Sequence, residues 1–199
     1  SGIASAADVD RFRKLGVGLV LVGETLMRAA DPRTAIRALL GKDRGGQVLS
    51  DQLVKVCGMT SVEDALAATT AGANIVGVIF AEGSPRQVST PVAKDIARAV
   101  WAFGERNGPK RLAGPEGEEQ AQTPQQWFSA WAEALVEGSR RTPLVCGVFQ
   151  NQPLEEVRRV VEEVGLDLVQ LHGDEGWEAC ADCGAPALRV VHVPAAAAE

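Results

Sequence analysis

The 199 residues, 46% hydrophobic and 23% charged, have the composition of an ordinary folded protein holding one domain, or one domain plus a piece of another, and exclude disorder throughout. With 20 Lys and Arg against 26 Asp and Glu the net charge is -6, so there is no basic field to hold nucleic acid or an anionic membrane surface. No apolar run approaches the roughly 20 residues needed to span a bilayer and no signal-type segment opens the chain, so the expected address is cytoplasmic.

The chain starts at Ser1 without an initiator Met and enters at once a pattern that belongs in the middle of a fold, which hints at a fragment. Ser5 and Asp8 are spaced as a capping box, followed by Val9, Phe12 and Leu15 at helical intervals, and Gly16 stops that helix. Val17 to Val22 is an aliphatic run of the kind found in parallel strands buried on both faces. Asp31-Pro32 starts a helix that ends at Gly41, and 42–52 turns polar and glycine-containing, as a linker does.

A new series follows. Leu53 to Cys57 reads as a strand. Thr60 to Glu63 reads as a capping box for a helix with Val62, Ala65 and Leu66 inward, closed by Gly72. Ile75 to Phe80 is the next strand, and Thr90-Pro91 supplies an N-cap and first-turn proline for a helix burying Val92, Ile96, Val100 and Phe103. Gly104 to Gln122 lacks periodicity and leads into a helix from Thr123-Pro124 with Trp127, Trp131 and Leu135 on one side; 104–142 reads as a solvated insertion packed by its tryptophans. Leu144 to Phe149, Leu166 to Leu171 and Leu188 to Val193 are strands, and Pro153 to Val164 is a helix. Alternating strands and helices predict a parallel sheet with helical crossovers.

In a barrel of parallel strands the loops after the strands' C-terminal ends build the active site. Cys57 sits at such an end, as a base or nucleophile at the mouth or else as a small buried hydrophobe. Ser84-Pro85-Arg86 follows the second strand of this series; the guanidinium suits bidentate capture of a carboxylate, or is a surface arginine. Gln170 to Asp174 ends a later strand with His172, one of only 2 histidines and equally readable as a structural hydrogen-bonding residue. Ser1 and Gly2, with Gly23 and Glu24, lie in loops whose backbone N–H groups suit a phosphate. The 4 cysteines read as reduced thiols, and Cys180/Cys183, with no second pair nearby, do not make a metal site.

Four strings in order, Lys55-Val-Cys-Gly-Met-Thr60, Gly77-Val-Ile-Phe80 with Ser84-Pro-Arg86, Gly147-Val-Phe-Gln-Asn-Gln-Pro153 and Val169-Gln-Leu-His-Gly-Asp-Glu175, closely resemble phosphoribosylanthranilate isomerase of tryptophan biosynthesis. The resemblance covers about Leu53 to Val193, and the insertion resembles those of fungal multifunctional versions. Ser1-Gly-Ile3 and Leu21-Val-Gly-Glu-Thr-Leu-Met27 with Asp31-Pro32 look like the end of indole-3-glycerol-phosphate synthase, the enzyme of the next step. The implied fold is an incomplete TIM (β/α)8 barrel: the last two βα units of one barrel (1–41), a linker (42–52), and the first four to five of the next (53–199).

The resemblance implies that Cys57 is the general base removing the ribose C2 proton, that Arg86 holds the anthranilate carboxylate, and that Gln170 and His172 line the pocket. It implies further that Ser1, Gly2, Gly23 and Glu24 belong to the synthase's phosphate loops. Neither cofactor nor metal is called for, and the partners are phosphorylated anthranilate substrates. The family's acid, an aspartate, and its phosphate loops come beyond Glu199, and the synthase's catalytic residues precede Ser1. The isolated chain is therefore expected to be inactive in both steps, the alternative being a non-catalytic barrel remnant that binds a phosphorylated metabolite or a protein. Two strands from one barrel and five from the next, seven in all, are expected to curl into one incomplete barrel, or else to stand as two partial domains with open edges through which copies associate.

Overall fold

The computed structural model describes residues 5–14, 19–22, 30, 32–39, 53–110, 112, 123–139 and 142–191. In chain order its elements are α1 (Ala6–Lys14), β1 (Leu19–Val22), α2 (Pro32–Leu39), β2 (Leu53–Cys57), α3 (Val62–Thr70) and β3 (Ile75–Ile79). They continue with α4 (Thr90–Phe103), α5 (Pro124–Ser139), β4 (Leu144–Phe149), α6 (Leu154–Val164), β5 (Leu168–Leu171), α7 (Glu178–Asp182) and β6 (Ala187–Arg189). Residues 42–52, read from the sequence as a linker, lie outside the described residues.

The strands form one all-parallel sheet in sequential order, β1 to β6. Sequential order combined with right-handed crossovers puts successive helices on the same face, as in an arc of a (β/α) barrel; a doubly wound sheet reverses order and covers both faces. The packing agrees. Val54 and Val56, Val76 and Val78, Val145, Val169 and Leu171 point into one core with Ala65 and Ala68 of α3, Ile96 and Val100 of α4, and Val157, Val160, Val161 and Val164 of α6. The other face, a barrel's interior, carries Ile75, Leu144, Cys146 and Leu168 in one cluster and Ile79, Ala81 and Val148 in a second, against which Cys57 packs. Strands lined with apolar residues on both sides are the reason the sequence runs are continuous rather than alternating.

β1 pairs with β2 from Leu19 opposite Leu53 to Val22 opposite Val56, so residues on either side of the linker share one sheet. Of the seven strands expected, six lie in the described residues, one of them before the linker.

Several expected helix details shift. The capping box of α1 forms as read: Ser5 N–H donates to Asp8 Oδ2 at 2.9 Å and Asp8 N–H to Ser5 Oγ at 3.3 Å. For α3 the cap is Ser61, not Thr60; Ser61 holds the extended backbone a cap needs and its Oγ accepts from Asp64 N–H at 3.1 Å. Likewise Ser89 precedes α4, with Thr90 already helical and Pro91 still in the first turn, where no N–H is missed. Val62, Val92 and Phe103 lie at helix ends and are exposed; the inward stripes are Ala65, Ala68 and Thr69 on α3, and Ala93, Ile96, Ala97 and Val100 on α4. Alanines there let helices approach the sheet closely.

Among the described residues of the insertion Trp127 contributes less to packing than its spacing suggests. Trp127 is 39% exposed and stacks mainly on its own helix, at 5.0 Å from Phe128 and 5.9 Å from Trp131. The residues that dock are Leu112 and Leu135, which pack on the interior cluster of Ile75, Leu144, Cys146 and Leu168.

Candidate active site

Parallel register fixes who faces whom inside the sheet. Lys55 lies opposite Ile75, Cys57 opposite Gly77, Gly77 opposite Cys146, and Val148 opposite Gln170. Side chains two residues apart share a face, so Lys55 and Cys57 both point to the interior, away from the helices. Their ends converge on Gly77: a Cβ there would stand 2.7 Å from Cys57 Sγ and 2.9 Å from Lys55 Nζ. Glycine keeps that space open for the sulfur and the ammonium. The Cys57 side chain is half-buried, with its strand ending at the mouth.

Arg86 reaches the same place from the next loop. Ser84 Oγ accepts Arg86 N–H at 3.3 Å and Ser84 C=O accepts Gln87 N–H at 3.0 Å, a turn with Pro85 at its corner. That turn swings the guanidinium over Gly58, where NH1 donates to the Cys57 carbonyl at 3.0 Å. Gly58 has φ +90, a conformation natural to glycine, and a Cβ on it would collide with Arg86 NH1. Among the described residues the Cys57 carbonyl is the one hydrogen-bond partner of this side chain, leaving the other edge of the fork to a ligand.

Gln170 is 4% exposed on the interior face of β5, and His172 follows at the strand's end, half-buried, its N–H donating to Phe149 C=O at 2.9 Å. The loop behind it is tied down by Glu175, whose carboxylate accepts Asn151 N–H at 2.7 Å and Gly173 N–H at 2.9 Å and lies 3.5 Å from Arg189 NH1. Gln152 Nε2 donates to Phe80 C=O at 2.8 Å, joining the loops after β3 and β4. The strand-end motifs thus form one rim. Cys57 and Arg86 meet directly on it; Gln170 and His172 stand two strands further along. Ser1, Gly2, Gly23 and Glu24 lie outside the described residues.

Cys57 and Cys146 lie near Lys55, whereas Cys183 belongs to the helix-side core. Burial pushes the Cys146 thiol up to about 12, an effect that the nearby Lys55 cation offsets only in part. Cys183 is raised chiefly by burial and directs its sulfur at Ala185 C=O, 3.1 Å away. No cluster of three metal-ligating side chains occurs among the described residues.

Spacing and composition assign Lys55 no role. It is 1% exposed, and its Nζ has no hydrogen-bond partner among the described residues. The signal was there: a single lysine at an inward position of an otherwise apolar strand.

The model of the family described as N-(5'-phosphoribosyl)anthranilate (PRA) isomerase matches residues 111–198. A Candida albicans N-(5'-phosphoribosyl)anthranilate isomerase is 42% identical over 124 residues, 62% of this chain and 50% of that protein. Residues 111–198 are thus similar to the phosphoribosylanthranilate isomerase family. Longer relatives match the chain nearly end to end. The tryptophan biosynthesis protein TRP1 of Phytophthora nicotianae is 45% identical across 98% of the chain, and the multifunctional tryptophan biosynthesis protein of Schizosaccharomyces pombe 43% across 89%. The chain spans only 37% and 23% of their respective lengths. Among solved structures a phosphonopyruvate hydrolase, 11% identical, shares the fold over 94% of this chain and 65% of its own, with a TM-score of 0.57.

Proposed function

We propose that these residues supply the base side of the isomerisation of N-(5-phosphoribosyl)anthranilate to 1-(2-carboxyphenylamino)-1-deoxyribulose 5-phosphate, in a longer tryptophan-pathway protein that also carries indole-3-glycerol-phosphate synthase. The observation that carries the reading is the convergence of Cys57 and Arg86 on one rim, through the 3.0 Å bond from the guanidinium to the Cys57 carbonyl.

An Amadori rearrangement takes a proton from ribose C2 and delivers one to the ring oxygen. Cys57, as thiolate, accepts the C2 proton, and the C–H electron pair moves toward C1 to give the enolamine, which tautomerises to the ketone. A thiol is suited to this near neutral pH and asks for no cofactor. The open edge of the Arg86 fork takes the anthranilate carboxylate in the bidentate manner guanidinium geometry favours, setting the sugar over the sulfur. Gln170 and His172 offer polar contacts along the same rim. Ser1, Gly2, Gly23 and Glu24 serve the phosphate of the synthase's ribulose intermediate. The setting is cytoplasmic.

The test is the loss of anthranilate-type fluorescence catalysed by the protein at its relatives' length. Cys57→Ala should lower kcat by about 100-fold or more, the usual worth of a positioned base. Arg86→Lys should raise KM more than it lowers kcat. Equal rates for Cys57→Ala and wild type would remove the thiol from the mechanism.

A further inference from the structure

An ammonium buried to 1% exposure with no acceptor among the described residues is an unstable arrangement unless an anion accompanies it. Among the described residues the candidates for that anion are few. Ile75, across the strand pair from Lys55, is apolar. Asp167, close enough to act on Cys146, is already occupied: its two oxygens accept from Arg106 NH1 and NH2, from Val145 N–H and from Lys110 N–H. Cys146 is wholly buried and stays protonated, its thiol pushed up to about 12. Cys57 remains. Its sulfur and the Lys55 nitrogen crowd the same point over Gly77, at 2.7 and 2.9 Å, and its side chain is half-buried at the mouth, not sealed below it.

We propose that Lys55 is a positioning residue for the reaction: its buried ammonium stands beside the Cys57 sulfur over Gly77 as a counter-cation for the charge the sulfur bears as proton acceptor, and aims the sulfur at the mouth. The inference rests on the reading of Cys57 as the proton acceptor but concerns only the pair. No net bond is made or broken by Lys55. It stays an ammonium while the sulfur takes up the substrate proton and later releases it, so the pair passes from ion pair to cation beside a neutral thiol and back. Gly77 is part of the device, because any side chain there would separate the two groups.

The test reads the thiol rather than turnover, and so uses this chain as it stands. Iodoacetamide is added at pH 7, and the alkylation rates of Cys57 and of half-exposed Cys180 are followed separately by peptide mass spectrometry. Lys55→Met, near in shape and without charge, should slow Cys57 by about tenfold or more and leave Cys180 unchanged, the latter serving as the check on folding. Lys55→Arg, which keeps the charge, should stay within about threefold of wild type, and Cys146→Ser should leave Cys57 unaffected. Unchanged Cys57 reactivity in Lys55→Met, or an equal loss in Lys55→Arg, overturns the pairing. A slowed thiol together with full isomerase activity of Cys57→Ala in the protein at its relatives' length would sink the functional reading and leave the pair intact.

Discussion

Arg106 grips Asp167 end-on, NH1 and NH2 lying 2.6 and 2.7 Å from the two carboxylate oxygens, with the Arg106 side chain 13% exposed and that of Asp167 sealed from solvent. Arg106 NH2 also donates to Pro143 C=O at 2.6 Å, and the carboxylate accepts Val145 N–H at 2.7 Å. One buried pair therefore fastens the start of the insertion to the lower ends of β4 and β5, opposite the rim that carries Cys57. Asp167→Asn replaces an acceptor-only group by one that turns donors toward Arg106, leaving a buried cation poorly matched. It should cost about 3–5 kcal/mol, measured by urea denaturation. A loss under about 1 kcal/mol would show that the insertion is held some other way.

The insertion also marks where sequence reasoning stopped. Its tryptophans fall on a helical stripe, and periodicity alone makes them the packing residues; Trp127 and Phe128 instead face solvent, while Leu135 covers the lower interior of the sheet. Leu135→Ala should therefore destabilise by more than Trp127→Ala, about 1–3 kcal/mol against well under 1, read from thermal unfolding midpoints.

Other features were legible for the same physical reason that this one was not. Leu53–Cys57 and Leu144–Phe149 match their strands residue for residue, because continuous burial on both faces leaves an unbroken aliphatic run. Helix starts slipped by one residue at Ser61 and Ser89, since adjacent Thr and Ser are equally able to cap. Cys57 and Arg86 were found at strand ends, where polar residues stand out. Lys55 was missed because a lysine in a strand ordinarily points to water, and the face it occupies here is the inside of a barrel arc. Gly77 drew notice only within a family string; its role shows once Cys57 and Lys55 are seen converging on it.

Cys146 sets an alkaline limit. Its thiol is raised in the folded chain from 9.0 to about 12, chiefly by burial, so the native state holds its proton more tightly than the unfolded chain does. The resulting stability is fully present below about pH 9 and is lost as pH climbs toward 12, where unfolding releases the proton and folding retains it. The unfolding free energy should fall across this window at up to about 1.4 kcal/mol per pH unit. Cys146→Ala removes that slope while lowering stability at neutral pH through the small cavity it leaves. Parallel pH profiles for the two proteins above pH 9 would assign the alkaline loss to other groups.

Gly77→Ala probes the space shared by Cys57 and Lys55. The added methyl falls within 3 Å of both Sγ and Nζ, with the Cys57 Cα at 3.1 Å, so the far end of the lysine swings away more readily than the strand can shift. Overpacking of this sort costs about 1–3 kcal/mol, yet a change from Gly to Ala in a strand recovers some backbone entropy. The stability change should accordingly be modest while Cys57 alkylation slows, because the substitution separates the ammonium from the sulfur without removing either. Thermal unfolding and the iodoacetamide rate, taken on the same preparation, separate the two effects. A Gly77→Ala protein with wild-type stability and a wild-type Cys57 rate would mean that the two side chains do not converge on this glycine in solution.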